Sequence, residues 1–149
     1  MNLRVIISAV LFFLSFPPFN FWYLIFPSLF FFYSGILSSS KPFLSGLVFG
    51  AISFGVILFG IQSIGYEAWI PLSILMGLLY GFYGKLFKFI AVKVNNNFFI
   101  LIGIISAFDL LRAYFPFGGF PWGSTSTVLI SGYRAVSYTH LTLPTTIEV

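Results

Sequence analysis

Hydrophobic positions in this chain come in long unbroken runs, separated by brief polar or proline-containing interruptions. The first run occupies residues 3–16 and stops at Pro17-Pro18, where a helix cannot continue. A second covers residues 21–37, with Pro27 expected to bend it, and SSSKP at 38–42 supplies the turn that follows. The third, residues 43–64, carries Gly46, Gly50, Gly55 and Gly60, small positions that let a neighbouring helix come close. The fourth extends from residue 70 to about 89, with Gly77, Gly81 and Gly84 on a similar spacing, and KVNNN at 93–97 closes it. The fifth spans residues 98–114. The runs are continuous rather than alternating, so each reads as a helix and not as a barrel strand.

Composition decides what kind of helix. Of 149 residues, 59% are hydrophobic, 22% aromatic and 7% charged, against roughly a quarter charged in an ordinary soluble domain. The expected fold class is therefore an all-α polytopic membrane protein with about five transmembrane helices. Cleavage of the first run as a signal peptide is the competing reading. No small-x-small site follows it and a second apolar run begins at once, so a retained first helix is expected.

The formal charge of +4 could point to nucleic acid, but the basic residues are few and set between apolar runs. They read as topology signals, and no nucleic-acid partner is expected. If successive helices cross alternately, Arg4, Lys41, Lys85, Lys88 and Lys93 all fall on one side. Basic flanks stay in the cytoplasm, which places the N-terminus inside. The other side receives residues 17–20, Glu67 and residues 115–124. It also receives Trp22, Trp69 and Trp122, at the level where indole rings suit lipid headgroups.

Two charges stand out at the end of the fifth run, in DLLRAYFPFGGFPWGS at 109–124. Asp109 and Arg112 are three apart, so on a helix they share a face and can pair. A lone charge costs about 2.5–3.5 kcal/mol at the bilayer centre, so pairing is expected of both. Either the pair is a polar anchor beneath a lipid-facing site or it simply fixes helix packing. Gly118-Gly119 and Pro121 permit a sharp turn that would hold Phe120 and Trp122 at the interface, as a re-entrant element or as plain anchors. Gln62 and Ser63, near the outer end of the third helix, read as helix-to-helix hydrogen bonds. The chain has no cysteine, hence no disulfide, no thiolate metal site and no thiol nucleophile. No phosphate-cradling loop, carboxylate pair or metal cluster is visible, so neither a cofactor nor a metal is expected.

Composition changes abruptly in AVSYTHLTLPTTIEV at 135–149, which is Thr-rich and holds the only histidine, His140. Residues 136–145 read as the translation of a transposase sequencing adapter, followed by index-derived residues and a stop. The expected organisation is a truncated N-terminal transmembrane domain at 1–135 and a non-native tail at 136–149, which removes His140 from the candidate ligands and bases.

In FDLLRAYFPFGGFPW, Asp109, Leu111 and Arg112 form an acidic-x-Leu-Arg element, and Gly119, Phe120, Pro121 and Trp122 form Gly-Phe-Pro-Trp. This pattern resembles the membrane domain of bacterial apolipoprotein N-acyltransferases. LSFPPFNFWYLIFPSL is similar to that family's opening hairpin, and LLYGFYGKLF to its fourth helix. Asp109 stands where the family usually has glutamate, Phe59 where it usually has tryptophan, and GSTSTVLISGY at 123–133 departs from the usual continuation. The resemblance implies a multi-pass enzyme of the bacterial inner membrane that moves a fatty acyl chain from a phospholipid donor to the N-terminal diacylglyceryl-cysteine amine of an apolipoprotein acceptor. It further implies a Glu, Lys and Cys catalytic set in a periplasmic carbon–nitrogen hydrolase-like domain inserted before the last helix. None of those three lies in this chain, so it supplies no catalytic residue and is not competent alone. Asp109, Arg112, Gly119, Phe120, Pro121 and Trp122 are its candidate substrate-facing or lipid-facing residues. The alternative is a non-enzymatic polytopic protein such as a transporter subunit, but deep polar residues lining a path are almost wanting.

Overall fold

A computed structural model describes residues 2–60, 65–95, 98–115, 119 and 123–132. Among these residues six α-helices follow in order: α1 (Leu3–Leu14), α2 (Ile25–Ser38), α3 (Pro42–Ile57), α4 (Tyr66–Lys93), α5 (Phe98–Tyr114) and α6 (Thr125–Gly132), with a 3-10 turn at Trp22–Leu24 leading into α2. No strand occurs among the described residues.

Local chemistry sets the helix ends. The Asn2 carboxamide oxygen accepts from the Arg4 amide and caps α1. Pro42 opens α3 at a position where its absent N–H costs nothing. Pro27, expected to bend the second helix, instead sits in the first turn of α2. There it displaces no intrahelical bond. The third helix was expected to run to residue 64, but α3 ends at Ile57. The fourth is longer than its apolar run: α4 begins at Tyr66, with Glu67 in its first turn, and ends at Lys93 in its last. Both charges suit the helix dipole. Its 28 residues give about 42 Å of length. It is the one helix among the described residues long and apolar enough to cross a bilayer, whereas α1, the Trp22–Ser38 stretch and α3 are shorter apolar helices.

Contacts between helices fix their directions. Ser8 Oγ donates to the Ser28 carbonyl at 2.8 Å and Ser28 Oγ donates back to the Ser8 carbonyl at 2.9 Å. Nearer one end, Asn2 Nδ2 donates to Gly35 O at 3.1 Å and Ser38 Oγ at 2.8 Å. These contacts run in opposite orders along α1 and α2, so the two are antiparallel. The α3–α4 pair is antiparallel too and rests on glycine: a Cβ on Gly46 would lie 2.1 Å from the Tyr80 carbonyl oxygen, and one on Gly50 2.8 Å from that of Met76. Gly55 and Gly60, grouped with them by spacing, face open space. The Gly55 carbonyl has another use, accepting from Trp69 Nε1 at 3.0 Å in the last turn of α3. Phe59 lies edge-on against the same indole, 5.8 Å between ring centroids.

An aromatic cluster fills the centre. The Phe32 and Phe49 rings are 4.3 Å apart, and Phe108 of α5 stacks on Tyr83 of α4 at 3.9 Å. The serines Ser8, Ser15, Ser28 and Ser53 are buried while Phe26, Phe30, Phe82 and Val92 are exposed. An apolar core under a surface that also presents phenyl rings suits a hydrocarbon surround.

The helix ends sort by charge. Asn2 at the start of α1 and Lys88 of α4 both bond the turn between α2 and α3, Asn2 to Ser38 and Lys88 Nζ to the Ser39 carbonyl. Arg4, Lys41 and Lys88 therefore gather at one end of the bundle. Glu67 and the end of α5 lie at the other.

Candidate functional site

Helical spacing brings Asp109 and Arg112 together on α5: Arg112 Nη2 lies 3.6 Å from Asp109 Oδ1. That separation is an ion pair rather than a short hydrogen bond. Arg112 sits in the last turn of α5, where a cation is favoured by the helix dipole. Its side chain is only 2% exposed, against 20% for Asp109.

The guanidinium has further partners that the local sequence does not show. Nη2 donates to the Gly123 carbonyl at 3.1 Å. The same group lies 5.3 Å from the Phe54 ring centroid on α3 and 6.0 Å from that of Tyr80 on α4, within cation–π range of both faces. Asp109 is held from its other oxygen, since Thr125 Oγ1 donates to Oδ2. A charged side chain in an apolar surround is thus met by a carboxylate, a carbonyl and two aromatic faces. This is the setting in which such a charge persists.

The chain after α5 is shaped to make those contacts. Gly119 has φ +96° and Gly123 φ +69°, a left-handed region that glycine enters without penalty. Space demands glycine as well. A Cβ on Gly119 would come within 1.8 Å of the Ala113 carbonyl oxygen, and one on Gly123 within 2.7 Å of the Phe54 ring. The returning chain starts α6 at Thr125, places buried Val128 in the core and packs Leu129 against it. Asp109 and Thr125 also border a narrow crevice with Tyr33, Tyr83 and Phe108, where the two tyrosine hydroxyls are 2.9 Å apart.

Of the residues expected at the site, Asp109 and Arg112 pair across their three-residue spacing, and Gly119 takes the left-handed conformation of a turn. Phe120, Pro121 and Trp122 lie outside the described residues, as do Gln62, Ser63 and His140. Sequence reasoning missed Gly123, Thr125, Phe54 and Tyr80. A signal for Thr125 was present: Ser124-Thr125-Ser126-Thr127 precedes the apolar Val128-Leu129-Ile130, a helix-start pattern.

The arrangement supplies a fixed joint rather than reactive groups. Each charge is engaged by its neighbours, Arg112 by Asp109 and the Gly123 carbonyl and Asp109 by Arg112 and Thr125. A family profile described as the apolipoprotein N-acyltransferase N-terminal domain matches residues 8–143. The chain belongs to this family. The apolipoprotein N-acyltransferase of Aquifex aeolicus is 30% identical over an alignment of 136 residues, with 80% of this chain and 28% of that protein covered. The chain therefore spans a little over a quarter of the relative it matches, at 28%. No solved structure matches it. Within the apolipoprotein N-acyltransferase N-terminal domain, the acidic-x-Leu-Arg element is the part of α5 that pins α6, and Gly119 opens the segment that carries Phe-Pro-Trp.

Proposed function

We propose that this chain is the membrane-embedded N-terminal part of an enzyme that transfers a fatty acyl chain from a phospholipid to the N-terminal diacylglyceryl-cysteine amine of an apolipoprotein. The carrying observation is the Arg112 joint, which ties the end of α5 to Gly123 and seats it on Phe54 and Tyr80. In this reading the joint supports the Gly-Phe-Pro-Trp segment as a floor for the acyl donor or the lipoprotein. Family membership supports the chemistry. The cysteine, lysine and glutamate that perform it belong to a hydrolase-like domain outside this chain, which has no cysteine of its own and so cannot form a thioester. Alone it is not competent.

We place it in the bacterial inner membrane, crossing five times with its N-terminus in the cytoplasm. The gathering of Arg4, Lys41 and Lys88 at one end of antiparallel helices supports this orientation. It sends Asp109 and Arg112 toward the periplasmic side, the side on which the reaction would occur. A permease-like path finds less support: the hydroxyls of the buried Ser8 and Ser28 are taken up by each other's backbones.

We also propose that residues 136–149 are adapter-derived and that the native frame continues past Ala135. The family match extends to residue 143, so the matter is settled by reading the source locus with a library free of transposase adapters. Continuation into further apolar spans and a domain with Glu, Lys and Cys in the family's order is the expected result. A native frame that encodes VSYTHLTLPTTIEV and stops at Val149 would overturn the proposal.

A further inference from the structure

The basic end of the bundle holds a cavity of about 320 Å³, far from the Arg112 joint and independent of the acyl-transfer reading. Its walls are of two kinds. Asn2, Ser39, Lys41 and Ser45 form the polar side, at the start of α1 and around the α2–α3 turn, whereas Val5, Leu44 and Val48 form the apolar side between α1 and α3. Leu44 and Val48 are four apart on α3, so the apolar side runs along the helix and into the hydrophobic zone of the bundle.

The polar side is arranged to donate. Ser39 Oγ accepts from the Lys41 amide at 3.1 Å and from Ser45 Oγ at 2.8 Å, which leaves its own hydroxyl proton for an acceptor outside the turn. Lys41 is among the lining residues, and Lys88 Nζ bonds the Ser39 carbonyl from the α4 side. Neither described acid lines this cavity: Glu67 stands in the first turn of α4, at the opposite end of that helix from Lys88, and Asp109 borders the central aromatic crevice.

We infer that this cavity binds one acidic phospholipid, its phosphate held by Lys41 and the Ser39 hydroxyl and an acyl chain lying along Val5, Leu44 and Val48. A polar, cationic mouth above an apolar groove matches an anionic headgroup above its chain. Basic pockets between transmembrane helices on the cytoplasmic side take anionic headgroups for this reason.

Native mass spectrometry of the full chain in detergent, titrated with phosphatidylglycerol, phosphatidylcholine or inorganic phosphate, tests the inference. One phosphatidylglycerol is expected to bind in preference to phosphatidylcholine, and inorganic phosphate is expected not to displace it. Lys41→Gln should weaken binding roughly five-fold, the ratio equivalent to about 1 kcal/mol per basic residue near an anionic surface. Leu44→Trp, which fills the apolar side at a half-exposed position, should weaken it without touching the cations, and circular dichroism of each variant verifies that the helices are intact. Equal binding of phosphatidylcholine, unchanged affinity in both variants, or full displacement by inorganic phosphate would overturn the proposal, the last by showing a free-anion site.

Discussion

Arg112 reaches past the end of its own helix and donates from Nη2 to the carbonyl of Gly123 at 3.1 Å. The bond closes a loop of chain onto the helix it has just left. It works because Gly123 can hold φ +69° with its α-carbon against the Phe54 ring. Hydrogen bonds from charged donors contribute about 1.5–3 kcal/mol, so Arg112→Ala should lower stability by about 2 kcal/mol and leave Asp109 without its cation. Arg112→Lys, which keeps the charge but not the planar fork, should fall between the two. Thermal midpoints in one detergent, compared across the three proteins, measure the order.

Gly123→Ala carries a separate expectation. The left-handed conformation costs a residue with a Cβ about 1–2 kcal/mol, and the clash with Phe54 adds to it. The variant should be destabilised while α1 to α4 keep their helicity by circular dichroism.

Glycines on α3 are predicted to respond with opposite signs. Gly46→Ala drives a methyl group into the Tyr80 carbonyl at 2.1 Å, and overpacking of this kind costs about 1–3 kcal/mol. Gly55→Ala meets nothing within 4 Å and should stabilise the helix by up to about 1 kcal/mol. Equal thermal midpoints for the two variants would contradict the packing described.

Ser8 and Ser28 should be coupled. Each hydroxyl bonds the other's backbone at 2.8–2.9 Å, and interhelical bonds of this type in membrane proteins average about 0.6 kcal/mol. Ser8→Ala and Ser28→Ala should each destabilise slightly. A double-mutant cycle measures whether their sum differs from the double variant.

Helices were legible in the sequence because long apolar runs leave little choice of structure. Their ends were less so. The fourth apolar run begins at residue 70, yet Trp69 finds the Gly55 carbonyl and α4 starts at Tyr66. Regular glycine spacing showed that a close approach exists somewhere on α3. It could not show that the approach stops after Gly50, because Gly55 turns its α-carbon to open space and meets α4 only through its carbonyl, at Trp69. At the site, the Asp109–Arg112 pair followed from a three-residue spacing within one helix. Gly123 and Thr125 meet that pair across a turn, and Phe54 and Tyr80 come from other helices, so only the folded packing reveals them.

Acyl transfer by a chimera tests the central claim most directly. Residues 1–132 of this chain would replace the matching N-terminal segment of a full-length apolipoprotein N-acyltransferase, and transfer of a labelled acyl chain from phospholipid to a lipoprotein N-terminus would be followed in membranes. The account predicts an active chimera that loses most of its activity with Arg112→Ala while the protein still inserts in the membrane at the same level. An inserted chimera without activity, or one whose activity Arg112→Ala leaves unchanged, would contradict it.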